Sequence, residues 1–410
     1  MITRATADDI AVGWAHRETL RRGYECRPVV EEFDLGFAVW MRLPETTLTV
    51  PGEDATTVID RETGRLSHWP NVPAEALEEL YRQRRAAVVD PPRTSDAEVE
   101  LKRNAHRRAS PSVAAHITLG GKLYIARGAK GDQDLNHHPL VAAWLADVPA
   151  GHLVRGAERH AELLVLSDVL HETDRIRAEQ EQPPLSLAEA RKLMLTARFE
   201  TFHIREPGDV LGGKRAEPCP SCNDALINIA LVPWKQRIMS QVKKLDSGTD
   251  PQPGRFPPEV AWELAGGGWR TRPGPDAAAL VQRAESVPGR EHRLTAFPAA
   301  LAALAEFGGV SPDRWSPGIA ERVRWYFIGI DTSVDHHADA LHELGTMIGA
   351  RLFPIGAEGF SESVLAIDEH GRVFALDQGG EWFIADTMDE AMTALLLGSR
   401  THRIRDDGTW

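Results

Sequence analysis

The residues best suited to chemistry in this sequence are His160 and Glu162, in Arg159-His160-Ala161-Glu162, and Cys219 and Cys222, in Pro218-Cys219-Pro220-Ser221-Cys222. One imidazole and two thiolates supply three protein ligands for zinc and leave a fourth position open for water. Zinc lowers the pKa of that water toward neutrality, so hydroxide is available at cellular pH. A carboxylate beside the metal, without ligating it, can shuttle a proton from the water to a leaving group. The four residues together suit a hydrolysis that uses metal-activated water, with Glu162 as the proton carrier.

Two elements must position them. Leu163, Leu164, Leu166, Val169 and Leu170 recur at helical spacing, which predicts a helix over Arg155–Arg177 with His160 and Glu162 in its first turn. Two residues apart, those side chains do not share a face: one can bind metal while the other reaches over a substrate. Pro218 and Pro220 stiffen the start of the second element, and Cys222 falls one turn after Cys219. A helix N-terminus at that point favours thiolate.

A His-x-Glu followed downstream by Pro-Cys-x-x-Cys is the pattern of the zinc deaminases of nucleobases. In that chemistry hydroxide attacks the ring carbon that bears the exocyclic amine, and ammonia leaves. Two other readings of the cysteines compete: a redox-active Cys-x-x-Cys, and a structural zinc. The latter needs a fourth protein ligand, for which His171 and His203 are present but without motif spacing.

The chain has 410 residues and is expected to hold two to three domains. Its three cysteines make no disulfide framework, and Cys26 is expected to be a small core residue. Met1 to Asp9 contains no apolar stretch of signal-peptide type, and no run of about 18 apolar residues occurs. The expectation is a cytoplasmic protein without a membrane span. The net charge of −13 is unevenly placed. Residues 1–94 carry −4, residues 95–245 carry +2 and residues 246–410 carry −11. Such a chain repels a phosphate backbone unless a local basic groove wins.

Taken in order, residues 1–90 read as a small α+β domain. It has a helix over Ala7–Arg22, hairpins around Asp34-Leu35-Gly36 and Glu62-Thr63-Gly64, and a helix over Pro73–Arg85. The stretch Thr57-Val58-Ile59-Asp60-Arg61-Glu62-Thr63-Gly64-Arg65-Leu66-Ser67 resembles the YrhB-like, immunity-type domains found beside toxin systems. Val89–Thr94 reads as a linker. Residues 95–246 then give a helix over Asp96–Arg108, strands Val113–Leu119 and Lys122–Arg127 around Gly120-Gly121, a helix over His138–Leu145, the His160 helix, a strand over Ala197–Ile204 and the Cys219 element. This order resembles the cytidine-deaminase-like α/β/α sandwich, and within it the YwqJ-type deaminases of bacterial toxin systems. The resemblance implies zinc ligands at His160, Cys219 and Cys222 and a proton shuttle at Glu162. Two departures stand out. Glu181–Leu195 is an additional segment, and only about 25 residues follow Cys222 before the linker Ser247–Gly254. That leaves little room for further strands, so the sheet is either trimmed or completed by a neighbouring domain.

Residues 255–400 form a third, α+β unit. Its Gly267-Gly268-Trp269, Leu352-Phe353-Pro354-Ile355-Gly356 and Leu365-Ala366-Ile367-Asp368-Glu369-His370-Gly371-Arg372-Val373 resemble the SUKH-3 immunity domain. His336, His337 and His342 read as a solvated helix start rather than a metal site. The fold expected is thus α/β and multidomain: a central cytidine-deaminase-like sandwich between two small α+β domains. The function expected is zinc-dependent hydrolysis of the amidine C–N bond of a nucleobase, as nucleoside or single-stranded nucleic acid, by a chain that also carries immunity modules. The competing class is an immunity or interaction protein with a regulatory or inactive middle domain. The acidic 255–400 domain is expected to bind a protein, either a basic toxin or the +2 middle segment of its own chain. The sequence does not choose the base or the oligomeric state.

Overall fold

A computed structural model describes residues 1–44, 55–70, 72–88, 94–107, 110–233, 250–359 and 362–410. The expected linker at Val89–Thr94 and the start of the one at Ser247–Gly254 lie largely outside the described residues. The contacts divide the chain into two units. Met1–Arg108 and Gln133–Asn136 form the first; Ala109–Asp132 and His137–Trp410 form the second.

The first unit begins with α1 (Arg4–Arg22), whose N-cap Thr3 accepts a hydrogen bond from the Thr6 amide and whose C-cap Gly23 is left-handed. Strands β1 (Arg27–Phe33), β2 (Gly36–Arg42), β3 (Thr56–Asp60) and β4 (Leu66–Trp69) make an antiparallel meander in that order. Helices α2 (Ala74–Val88) and α3 (Ala97–His106) complete it. The period of two along β2 divides the core. Phe37 and Val39 join Ile10, Ala11 and Ala105 on one side of the sheet, whereas Ala38 joins Trp69, Leu77 and Tyr81 on the other. Helices α1 and α3 approach so closely at Gly13 that a Cβ there would lie 2.5 Å from the Ala105 carbonyl oxygen. The expectation had α3 opening the middle domain, but its packing is with α1.

The second unit holds both remaining segments. Strands β5 (Ser112–Leu119) and β6 (Lys122–Arg127) are joined by Gly120-Gly121, both at positive φ, as a two-residue hairpin turn requires. There follow α4 (Pro139–Asp147), α5 (Ala161–Glu179), α6 (Leu187–Met194), β7 (Arg198–Ile204) and α7 (Pro220–Asn228). Strand β5 lies between β6 and β7, all antiparallel. Among the described residues this sheet has three strands. Helix α5 packs on β5 and β6 and is buried continuously from Ala161 to Leu170. That depth accounts for an apolar stripe with almost no polar face. The segment Glu181–Leu195 is not merely inserted. It holds α6, closed by a capping box in which Ser186 and Glu189 bond each other's backbone amides.

The C-terminal segment contains α8 (Pro258–Gly266), α9 (Ala277–Ser286), α10 (Pro298–Phe307), β8 (Tyr326–Ile328), α11 (Ala338–Ile348), β9 (Leu352–Glu358), β10 (Ser363–Asp368), β11 (Val373–Asp377), β12 (Gly380–Ala385), α12 (Met388–Leu397) and β13 (His402–Arg403). Strands β8 to β13 form an antiparallel sheet in sequence order. Strands β9, β10 and β11 are buried along their whole length, in keeping with their near-continuous apolar runs. The architecture is mixed α/β, with a deaminase-type order of elements between two small α+β segments.

Candidate metal centre

The helix that carries His160 starts later than its apolar spacing suggests. Residues 155–160 are not α-helical: Gly156 is left-handed, Ala157–Arg159 make one 3-10 turn, and His160 is an extended N-cap to α5. The cause is tertiary. Arg155 and Arg159 are drawn to carboxylate and carbonyl partners far along the chain, and the Trp382 ring fills the space a Cβ on residue 156 would occupy, 2.5 Å away. His160 therefore stands just before the helix, and Glu162 is its second residue.

Cys219 is likewise an N-cap, to α7, with Pro220 at the first helical position and Cys222 one turn in. The Cys219 sulfur accepts the Cys222 amide at 3.4 Å. Ser221 ties the two elements together: its hydroxyl accepts the Val154 amide at 2.8 Å, just upstream of the His160 turn.

These two caps bring three donors together. His160 Nδ1 lies 3.4 Å from Cys219 Sγ and 3.4 Å from Cys222 Sγ. The three ligand atoms all lie within 4.8 Å of one another, and among the described residues no other group of His, Cys, Asp or Glu side chains converges in this way. Neither His171 nor His203 joins them. His171 packs edge-on against His138, and His203 lies on β7. Glu162 is adjacent without being part of the group, its Oε2 accepting from the Cys222 thiol at 3.5 Å.

The donor set fits zinc. A tetrahedral ion with bonds of about 2.0 Å to nitrogen and 2.3 Å to sulfur separates such atoms by about 3.5 Å. The three donors shift one another's proton affinity. Burial works against a charged His160, yet the Cys219 sulfur outweighs it and lifts the imidazole to about 9. Burial alone would raise Cys219, but its hydrogen bond with Cys222 and the nearby His160 hold it well below the usual thiol range. Burial and the Cys219 thiolate push Cys222 well above that range. The His160 imidazolium and the Cys219 thiolate thus stabilise each other, while Cys222 keeps its proton.

One neighbour carried no sequence signal. Gln378, between β11 and β12, donates from Nε2 to Glu162 Oε2 at 3.3 Å and accepts the Ala161 amide on Oε1 at 3.0 Å. Behind it, Arg155 bonds Glu358 at 2.6 Å and Asp377 at 3.3 Å, and Arg324 bonds Glu358 at 2.8 Å. Burial would raise Glu358, but the two guanidinium groups hold its carboxyl below the ordinary glutamate range.

The other candidate histidines do not converge. His337 is fully buried at the N-cap of α11, where burial lowers its pKa to about 3. His342 is exposed and stacks on His292 at 3.6 Å. The helix start was legible, but only part of it is solvated. Cys26 is a buried core residue, as expected.

Three family models match the chain. Residues 97–230 match the YwqJ-like deaminase, residues 256–398 the SUKH-3 immunity protein, and residues 5–87 the immunity protein 35-like domain. An immunity-type module, a deaminase-like segment and a SUKH-3 module thus follow one another, in the order the sequence suggested. No curated protein and no solved structure matches the chain. Among the described residues no helix is long and apolar enough to cross a membrane.

Proposed function

We propose that the deaminase-like segment is a zinc-dependent hydrolytic deaminase of a nucleobase, taken as a nucleoside or in single-stranded nucleic acid, within a cytoplasmic toxin–immunity system. The observation that carries this reading is the convergence of His160 Nδ1 with two cysteine sulfurs at 3.4 Å, beside the Glu162 carboxyl. His160, Cys219 and Cys222 would hold the ion. When bound there, zinc would supply the Lewis acidity that makes water a nucleophile near neutral pH. Glu162 takes the proton given up by that water and delivers it to the amine that departs as ammonia. The ring carbon exchanges its nitrogen for oxygen, and no redox partner is needed. The rigid caps of α5 and α7 fix the donors before substrate arrives, which favours a precise site over an adaptable one.

A second reading is an interaction protein in which the deaminase-like segment regulates rather than catalyses. Its support is the immunity-type match on either side of that segment. Under either reading, the acidic C-terminal module is proposed to bind a protein surface. The two readings are separated by ammonia release from mixed nucleosides and single-stranded DNA and RNA. The assay compares the native chain, the Gln378→Ala chain and a Glu162→Ala blank. Turnover above the blank supports the enzyme. Zinc-loaded protein that never exceeds the blank in either form supports the regulator.

A further inference from the structure

We propose that the C-terminal segment holds this site shut, with the Gln378 carboxamide standing where the base would bind. The nature of the displaced ligand rests on the deaminase reading above; the closure does not.

Three observations carry it. The first is chemical. Gln378 presents a donor to Glu162 and an acceptor to the Ala161 amide. A base edge with an exocyclic amine beside a carbonyl or ring nitrogen offers the same pair. The backbone N–H of Ala161 can only donate, so the carboxamide orientation is fixed by its partners. The second is steric. His160 and Cys219 are 2 % and 1 % exposed, Glu162 is 1 % and Cys222 0 % exposed, and Gln378, bonded to Glu162, is 6 % exposed. Among the described residues, these four side chains are closed to solvent while the turn stays in place.

The third is that the turn is built into both segments. Arg159 donates to the Gly379 carbonyl at 3.1 Å and to the Ala129 carbonyl at 2.8 Å. Asp377 accepts the Gly379 amide and the Trp382 indole N–H, both at 2.9 Å, and turns its other oxygen to Arg155. On the deaminase side, Gly128 leaves room for the Gln378 backbone: a Cβ there would lie 2.1 Å from its carbonyl oxygen. Displacing the turn would free Ala161 N–H and Glu162 together, which makes substrate and Gln378 competitors for one place.

The test uses the full chain and two variants that open the site by different means. Gln378→Ala removes the carboxamide, and Gly128→Leu sets a side chain where the turn now lies. One readout is the alkylation rate of Cys219 and Cys222 by iodoacetamide in the protein as purified, followed by peptide mass so that Cys26 is not counted. The other is ammonia release from mixed nucleosides and single-stranded DNA and RNA. Both are expected to rise about tenfold or more over the native chain, because a mostly closed site lowers the competent fraction. Faster alkylation without turnover in any form would keep the closure and refute the deaminase reading. A native chain that is alkylated and turns over as fast as the variants would overturn the closure. Should Gly128→Leu fail to fold, Gln378→Ala decides alone.

Discussion

His160 stands just outside its helix, and that single placement lets its Nδ1 meet two sulfurs 3.4 Å away. Glu162, two residues on, approaches the same cluster from within the helix. The separation of holding and proton transfer predicts separable phenotypes. Glu162→Ala should keep a full zinc equivalent and the fold, yet lose turnover by roughly 10²–10⁴ in a chain opened at Gln378. Equal turnover would make Glu162 structural. The convergence of His160, Cys219 and Cys222 could be expected from type and spacing, with Glu162 beside them. Gln378 could not, since it meets Glu162 across 216 residues of chain and a lone glutamine carries no pattern. Arg155 was misread for a related reason: helical periodicity covered it, but its partners lie on β9 and β11.

At the scale of elements, the buried Arg155–Glu358–Arg324 cluster pins the His160 turn to β9. Glu358 has a folded pKa below its ordinary 4.5, so its stabilising contribution is complete above that value and is lost as pH falls through the lowered one. The native chain should therefore lose stability steeply in acid, from about pH 5 downward. Glu358→Gln should cost up to about 3–5 kcal/mol at neutral pH, since two guanidinium groups lose their nearer counter-charge and keep only Asp377 and Glu362, and should show a flatter acid dependence. Urea unfolding across a pH series reads both; parallel curves would show that the cluster contributes no pH-dependent stability. In the first unit, Gly13→Leu should separate α1 from α3, costing about 1–3 kcal/mol, without changing zinc content. Thermal unfolding with metal analysis checks it. Most strands and helices here could be read from periodicity and turn residues. What could not be read was the partner of α3, because an amphipathic helix states that it must pack and not against what.

At the scale of the whole molecule, the sequence indicated three modules and the family matches place them at 5–87, 97–230 and 256–398. The contacts nonetheless join the last two into one unit. Backbone amides add to the Arg155 cluster: Arg322 N–H donates to the Leu153 carbonyl at 2.7 Å, and Ala340 N–H to the Glu206 carboxylate at 2.8 Å. A chain cut at an engineered protease site between residues 233 and 250 should thus remain one particle in size exclusion at low salt. Its exposed ion pairs, such as Arg322–Asp224, should weaken as salt is raised, because exposed charges are screened over about 10 Å at 0.1 M. Separation into two free fragments at low salt would show that the segments merely lie side by side.

Zinc held by His160, Cys219 and Cys222 would have three protein ligands and one open position. Zinc-edge X-ray absorption on the purified chain tests it most directly. One zinc per chain is expected, with two sulfurs at about 2.3 Å and two lighter atoms at about 2.0 Å, and the metal should be lost in the Cys219→Ser, Cys222→Ser double variant. A full zinc equivalent retained by that variant, or a shell without sulfur, would contradict it.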